Sequence, residues 1–229
     1  MEIVVFPDAQ TVAQRAAIMI SELASKSIAA RRQFTFASSG GKTPWLMFEH
    51  LTKLDIKWEH VHLFQVDERV APAHDPSRNW THLEESLISR VAIPRSNAHE
   101  IPVDSENPER AATMYGDSLS RIAGTPAVLD LVHLGLGPDG HTASLVPGDP
   151  VLSVDDVDVA STSVYQGQRR VTLTFPILNR ARHILWVVVG SDKQAALSKL
   201  LVEDRSIPAG RVGGARSIVL ADRAAIGGP

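Results

Sequence analysis

A carboxylate and an imidazole stand two residues apart near the middle of this chain, in the stretch Leu131–Gly148, LVHLGLGPDGHTASLVPG. The apolar run Leu129–Leu134 reads as a buried strand. It breaks into Gly135, Gly137, Pro138, Asp139 and Gly140 and delivers His141. Glycines there permit tight turns and close approach to a ligand. In open α/β sheets, ligands bind at the carboxyl ends of strands. An imidazole titrates near neutrality, so His141 suits general-base work. Asp139 or the loop backbone would orient it. A structural histidine is the competing reading.

The same stretch contains Gly-x-Gly-x-x-Gly, the pattern of a dinucleotide site. That site needs a compact βαβ unit with an acid ~20 residues on. Asp155, Asp156 and Asp158 stand near that distance, but Pro147, Gly148 and Pro150 cut any following helix to under two turns. The dinucleotide reading therefore fails on its context.

Three further loops carry candidate chemistry. Ser38-Ser39-Gly40-Gly41-Lys42-Thr43-Pro44 follows a strand and opens a helix. Free backbone N–H groups and the helix dipole favour an anion there. It is not a Walker A loop, because Phe36 stands where glycine is required. In Val66-Asp67-Glu68-Arg69, two carboxylates follow an apolar strand, and Ser77-Arg78-Asn79 lies just beyond. Neighbouring strand residues point to opposite faces, so at most one of Asp67 and Glu68 faces a site. The other is expected to pair with an arginine. Arg169-Arg170 and Gly190-Ser191-Asp192-Lys193 each place a cation where it reaches a phosphate, or simply meets water.

These loops need a scaffold, and helical and strand patterns alternate along the chain. Helices are predicted over Thr11–Ala30, from an N-cap at Thr43 with Pro44 first in the helix to about Leu54, over Trp80–Val91, from Asn107–Pro108 to about Ile122, and over Asp192–Val202. Strands are predicted at Phe34–Ala37, Val61–Val66, Leu129–Leu134, Val157–Thr162, Val171–Phe175, Ile184–Val189 and Ser217–Leu220. This order predicts an α/β fold: a doubly wound, Rossmann-like, mainly parallel sheet with helices on both faces. Two consecutive strands within Val157–Phe175 predict a small antiparallel addition. Pro147–Asp158 reads as a surface loop. The expected organisation is one domain over residues 1–229.

Composition narrows the function classes. The chain has 229 residues and a net charge of −3, which gives no electrostatic case for nucleic acid or anionic membrane. The absence of cysteine removes thiolate catalysis and disulfides. Neither His-Glu-x-x-His nor Gly-x-Ser-x-Gly occurs, so no metal site and no serine nucleophile are expected. With no signal-peptide pattern, a cytoplasmic location is the expectation.

Together the loops resemble a known family. Ser39-Gly40-Gly41-x-Thr43-Pro44, Asp67-Glu68-Arg69, Gly135-Leu136-Gly137-x-Asp139-Gly140-His141-Thr142-Ala143-Ser144-Leu145-x-Pro147-Gly148, Arg170-Val171-Thr172-Leu173-Thr174 and Pro176-Ile177-Leu178-Asn179-x-Ala181-Arg182 occur in this order. The chain resembles the 6-phosphogluconolactonases over nearly its whole length. The resemblance implies the fold shared with glucosamine-6-phosphate isomerase/deaminase. It also implies hydrolysis of 6-phosphoglucono-δ-lactone in the oxidative pentose phosphate pathway, without a cofactor, by a monomer or homodimer. The deaminase is the alternative. It is disfavoured because Thr142–Pro147 lacks the acidic residue of that branch and Arg69 stands where a tyrosine is usual. A non-catalytic sugar-phosphate sensor is a third reading, weakened by the presence of His141 and Asp67.

The expected chemistry follows from this resemblance. His141 takes a proton from water, which attacks the C1 carbonyl. Asp139 or Glu68 orients the imidazole. Backbone N–H groups around Gly137 and Gly140, or a nearby cation, meet the oxyanion. The 6-phosphate sits at Ser39, Gly40, Gly41, Lys42 and Thr43, with Arg69, Arg78, Arg170 and Lys193 as candidate cations.

Overall fold

The computed structural model describes residues 1–103, 107–213 and 216–228. The chain runs β1 (Glu2–Phe6), α1 (Ala9–Arg31), β2 (Phe34–Ser38), α2 (Lys42–Leu51), β3 (Val61–Gln65), β4 (Asp67–Arg69), α3 (Asn79–Ser86) and β5 (Ala98–His99). It continues through α4 (Pro108–Ala123), β6 (Leu131–Leu134), β7 (Val159–Ser161), β8 (Arg170–Leu173), α5 (Phe175–Arg180), β9 (Ile184–Val188), α6 (Gln194–Leu201) and β10 (Ser217–Asp222). Seven strands form a parallel sheet in the order β1-β10-β9-β6-β2-β3-β5. A second sheet, β4-β8-β7, is antiparallel.

The period-two alternation of the central strands explains the layers. Phe36, Leu63, Leu131 and Leu185 enter one core with α1, α2 and α3. Their neighbours Ala37, Phe64, Val132 and Trp186 enter the other, with α4, α5, α6 and the small sheet. Such double-sided burial requires strands apolar on both faces, which is why they read as continuous hydrophobic runs.

The sheet order also fixes where a ligand belongs. From β2 the chain builds outward through β3 to β5, then returns to β6 beside β2 and builds the other way through β9 to β10. The connections leaving β2 and β6 pass to opposite faces, which opens a crevice at the carboxyl ends of these two strands. Val66 is the pivot between the sheets. Its N–H donates to Ser38 O (3.1 Å) in the large sheet, and its carbonyl accepts from Leu173 N (2.8 Å) in the small one. The small sheet thereby carries Asp67–Arg69 and Arg170 to the crevice.

Several elements differ from the sequence expectations. Helix α1 starts earlier, at Ala9, because the Asp8 side chain accepts from Thr11 N (2.8 Å) and caps it. Helix α2 begins at Lys42 with Gly41 as its N-cap (φ 122°), not at Thr43, and Pro44 still falls in the first turn where no N–H is needed. The helix predicted over Trp80–Val91 splits into α3 and a 3-10 turn at Ile88–Arg90. The one predicted over Asp192–Val202 opens with a 3-10 turn at Ser191–Lys193 before α6. Strands β1, β4 and β5 and helix α5 had no counterpart in the sequence reading. The antiparallel addition has three strands rather than two.

Candidate functional site

The crevice holds a cleft of about 250 Å³, lined by the loops after β2 and β6, the end of β9, and side chains from β4, α3 and β8. Among the residues singled out from sequence, Ser39, Gly40, Gly41, Lys42, Thr43, Asp67, Arg69, Gly137, His141, Arg170 and Lys193 line it.

His141 is delivered by a tight turn after β6. Gly137 N donates to His141 O (2.8 Å) and Gly140 N to Gly137 O (3.0 Å). Gly140 takes φ 83°, a conformation that favours glycine. The turn places Nδ1 of His141 2.5 Å from Oδ1 of Asp139, which also accepts from His141 N at 3.2 Å. Burial works to raise the pKa of Asp139, but the His141 N–H and the neighbouring imidazole outweigh it and hold the carboxyl below its ordinary range. Among the described residues Nε2 of His141 has no hydrogen-bond partner, so one ring nitrogen is anchored and the other is available. The same hydrogen bonds spend the N–H groups of Gly137 and Gly140. The expected backbone oxyanion donors are thus not free at those two positions.

Asp67 and Glu68 point opposite ways, as strand geometry requires. Asp67 faces the cleft, where its Oδ2 accepts from Ser144 Oγ (2.5 Å). Glu68 is fully buried on the other side. It accepts from the backbone N–H of Arg69 (2.8 Å), Asn79 (2.7 Å) and Trp80 (2.7 Å) and from Gln65 Nε2 (2.7 Å). Burial raises its pKa against these bonds. Glu68 therefore does not reach the imidazole, and of the two candidate orienting groups only Asp139 touches His141. Arg78 also departs from expectation. It is 2% exposed, lies 3.8 Å from Glu68 through Nε, and donates through Nη2 to Glu100 (2.7 Å). A guanidinium enclosed beneath the site is a partner for Glu68, not a free phosphate ligand.

Four cations remain on the cleft wall: Lys42, Arg69, Arg170 and Lys193. Arg170 is the most enclosed. Its Nη2 donates to Gln166 Oε1 (3.3 Å), its guanidinium lies 5.0 Å from the centroid of Tyr165, and its buried Nε has no hydrogen-bond partner among the described residues. Burial pulls its pKa below the ordinary arginine value, with Asp67 opposing that shift. Lys193 contacts Asp192 (2.9 Å). The Ser39 hydroxyl is committed to His133 O (3.1 Å), so Ser39 shapes the loop, while Gly41, Lys42 and Thr43 at the opening of α2 line the cleft.

Two contributors were missed from sequence. Asn79 lines the cleft and contacts both Arg69 and Asp67. Tyr165 sets its ring 5.9 Å from that of His141, at 65°. Asn79 lies within the Ser77-Arg78-Asn79 segment, where only the arginine carried an expected role, but Tyr165 sits in a loop with no local signature.

An acid–base pair and a cationic wall at the switch point of a parallel sheet define the class: an α/β protein built to handle a small phosphorylated molecule. Comparison with known proteins then gives the family. Residues 7–220 match the family described as glucosamine-6-phosphate isomerases/6-phosphogluconolactonase, and the chain belongs to it. It is 37% identical over 199 residues to a 6-phosphogluconolactonase of Synechocystis, with 85% of this chain and 82% of that protein covered. The 6-phosphogluconolactonase structure from Thermotoga maritima superposes with a TM-score of 0.86 at 29% identity, covering 96% of this chain and 98% of the other. A monomeric glucosamine-6-phosphate deaminase superposes equally well, with a TM-score of 0.87 and 99% of each chain covered. At 16% identity that likeness shows the shared fold alone.

Proposed function

We infer that this protein hydrolyses 6-phosphoglucono-δ-lactone to 6-phosphogluconate, the activity for which its relatives are named. The observation that carries the mechanism is the Asp139–His141 pair beside the four-cation wall. Asp139 holds Nδ1, which fixes the tautomer and leaves Nε2 to take a proton from water. The water oxygen attacks C1 of the lactone. The charge that develops on the carbonyl oxygen is met by one cation of the cleft rather than by the N–H groups of Gly137 and Gly140, which are already bonded. As the tetrahedral intermediate collapses, the C1–ring oxygen bond breaks and the imidazolium returns its proton to the departing oxygen. The remaining cations among Lys42, Arg69, Arg170 and Lys193, with the opening turn of α2, anchor the phosphate at the far end.

The test is a coupled assay that measures 6-phosphogluconate formation and subtracts spontaneous lactone hydrolysis, run beside a glucosamine-6-phosphate deaminase assay. Lactonase turnover above background is expected. Turnover only in the deaminase assay would overturn the assignment.

A further inference from the structure

Arg69 and Asp67 sit two residues apart on β4, on the same face, with opposite charges. Direct pairing would neutralise the guanidinium and close that side of the cleft. Asn79 stands between them, bonded to both. Its Oδ1 accepts from Arg69 Nη1 at 2.5 Å, and its Nδ2 donates to Asp67 O (3.0 Å) and Oδ1 (3.3 Å). Only a side chain with both an acceptor and a donor serves both neighbours at once.

The amide has little freedom to turn. Asn79 is 7% exposed, and its backbone N–H is held by the buried Glu68 carboxylate at 2.7 Å. The same carboxylate takes the N–H of Arg69, so one buried group ties the cation and its orienting amide into one frame. The third wall is Gly40. A Cβ there would lie 1.9 Å from Asn79 Oδ1, so the close approach of the phosphate loop to this amide requires glycine. Arg69 is fixed a second time through Ser77 O, which accepts from Nη1 at 3.0 Å.

We propose that Asn79 is a positioning residue for substrate binding: its amide holds Arg69 apart from Asp67 and aims the guanidinium at the anion in the cleft. The proposal rests on the lactonase reading for its substrate, but not for its binding readout. An uncharged spacer keeps the full positive charge of Arg69 for the ligand, whereas a carboxylate at 79 would compete with it.

The experiment is a double-mutant cycle on the full chain between Asn79→Ala and Arg69→Ala. KM and kcat for the lactone are measured, together with the affinity for inorganic phosphate by calorimetry. Asn79→Ala is expected to raise KM and weaken phosphate binding about tenfold, the worth of one hydrogen bond to a charged group, with kcat within about twofold. In the Arg69→Ala background the same change should add less than about twofold. An effect equally large in both backgrounds, or a loss confined to kcat, would overturn the proposal. Asn79→Ser keeps a small polar group should Asn79→Ala fail to fold, and is expected to show an intermediate KM. Asn79→Asp should weaken phosphate binding more than Asn79→Ala; tighter binding would count against the spacer role. A wild-type protein that binds phosphate yet lacks lactonase activity would refute the substrate assignment while the phosphate arm still decides the role of Asn79.

Discussion

A Cβ at position 137 would lie 2.1 Å from Nδ1 of His141, so the imidazole occupies the volume that Gly137 leaves empty. It would also lie 2.7 Å from Oδ1 of Asp139. The middle glycine of the Gly-x-Gly-x-x-Gly pattern thus makes room for an acid–base pair rather than for a pyrophosphate. At the first, Gly135, a Cβ would meet no heavy atom within 4 Å among the described residues beyond its own chain neighbours.

Gly137→Ala is accordingly expected to act like loss of the base. The added methyl must push the ring off Asp139, and His141→Ala removes the ring outright. Each should lower kcat by about 10²–10⁴-fold, the usual contribution of general acid–base catalysis. Affinity for inorganic phosphate should stay close to that of the wild type in both. Steady-state kinetics with calorimetry check this, and wild-type turnover in His141→Ala would remove it from the mechanism.

The anchoring cations should report in KM. Arg170→Ala and Lys193→Ala each delete a charge from the cleft wall, and an interaction made equally in ground and transition states shows as KM alone. A rise of roughly tenfold to a hundredfold is expected, given the strength of hydrogen bonds to charged groups. A fall in kcat at constant KM would place that residue at the reacting carbonyl instead.

Arg78 should report in stability. Removing it leaves Glu68 buried with its N–H donors but without its cation. Breaking a buried pair typically costs about 3–5 kcal/mol. Arg78→Met should therefore shift the urea midpoint strongly downward. An unchanged midpoint with a raised KM would restore Arg78 as a phosphate ligand.

Acid should destabilise the fold through one buried and one half-buried histidine, His133 and His99. Burial, then the charges of His62 and Arg121, lowers the pKa of His99 to about 4. Burial alone takes that of His133 to about 3. The unfolded chain takes up these protons below about pH 6.5, while the folded chain does not until far lower. The stability these groups contribute is therefore complete above that pH and declines as pH falls from about 6.5 toward 4. The slope is up to about 1.4 kcal/mol per pH unit for each histidine. Urea unfolding at about pH 7 and about pH 5 measures it. His99→Phe, which keeps the ring stack on Phe64, should flatten part of the slope. A stability independent of pH over this range would contradict the enclosure of His133 and the partial burial of His99.

What could be read from the chain was local. Asp139 and His141 are two residues apart, and the turn between them is written in glycine and proline, so their pairing needed only a few bonds of backbone. The Ser39–Thr43 loop, the alternation of helices and strands, and the opposite faces of Asp67 and Glu68 follow from short-range geometry. Weak or short signals were lost: β5 has two residues, β4 three, and β1 is a half-exposed edge whose burial depends on β10 across the chain.

The division of labour among the charged residues was decided only by tertiary structure. Pairing of Asp67 with Thr172 and Arg69 with Arg170 turns one face of β4 to the cleft and buries Glu68 beneath it. That choice makes Arg78 a buried counterion, makes Asn79 the spacer between Arg69 and Asp67, and brings Tyr165 to His141. Each contact joins segments that are distant in sequence or on different elements. Its sign depends on strand register and on which face is inward, and no local pattern of residues encodes either.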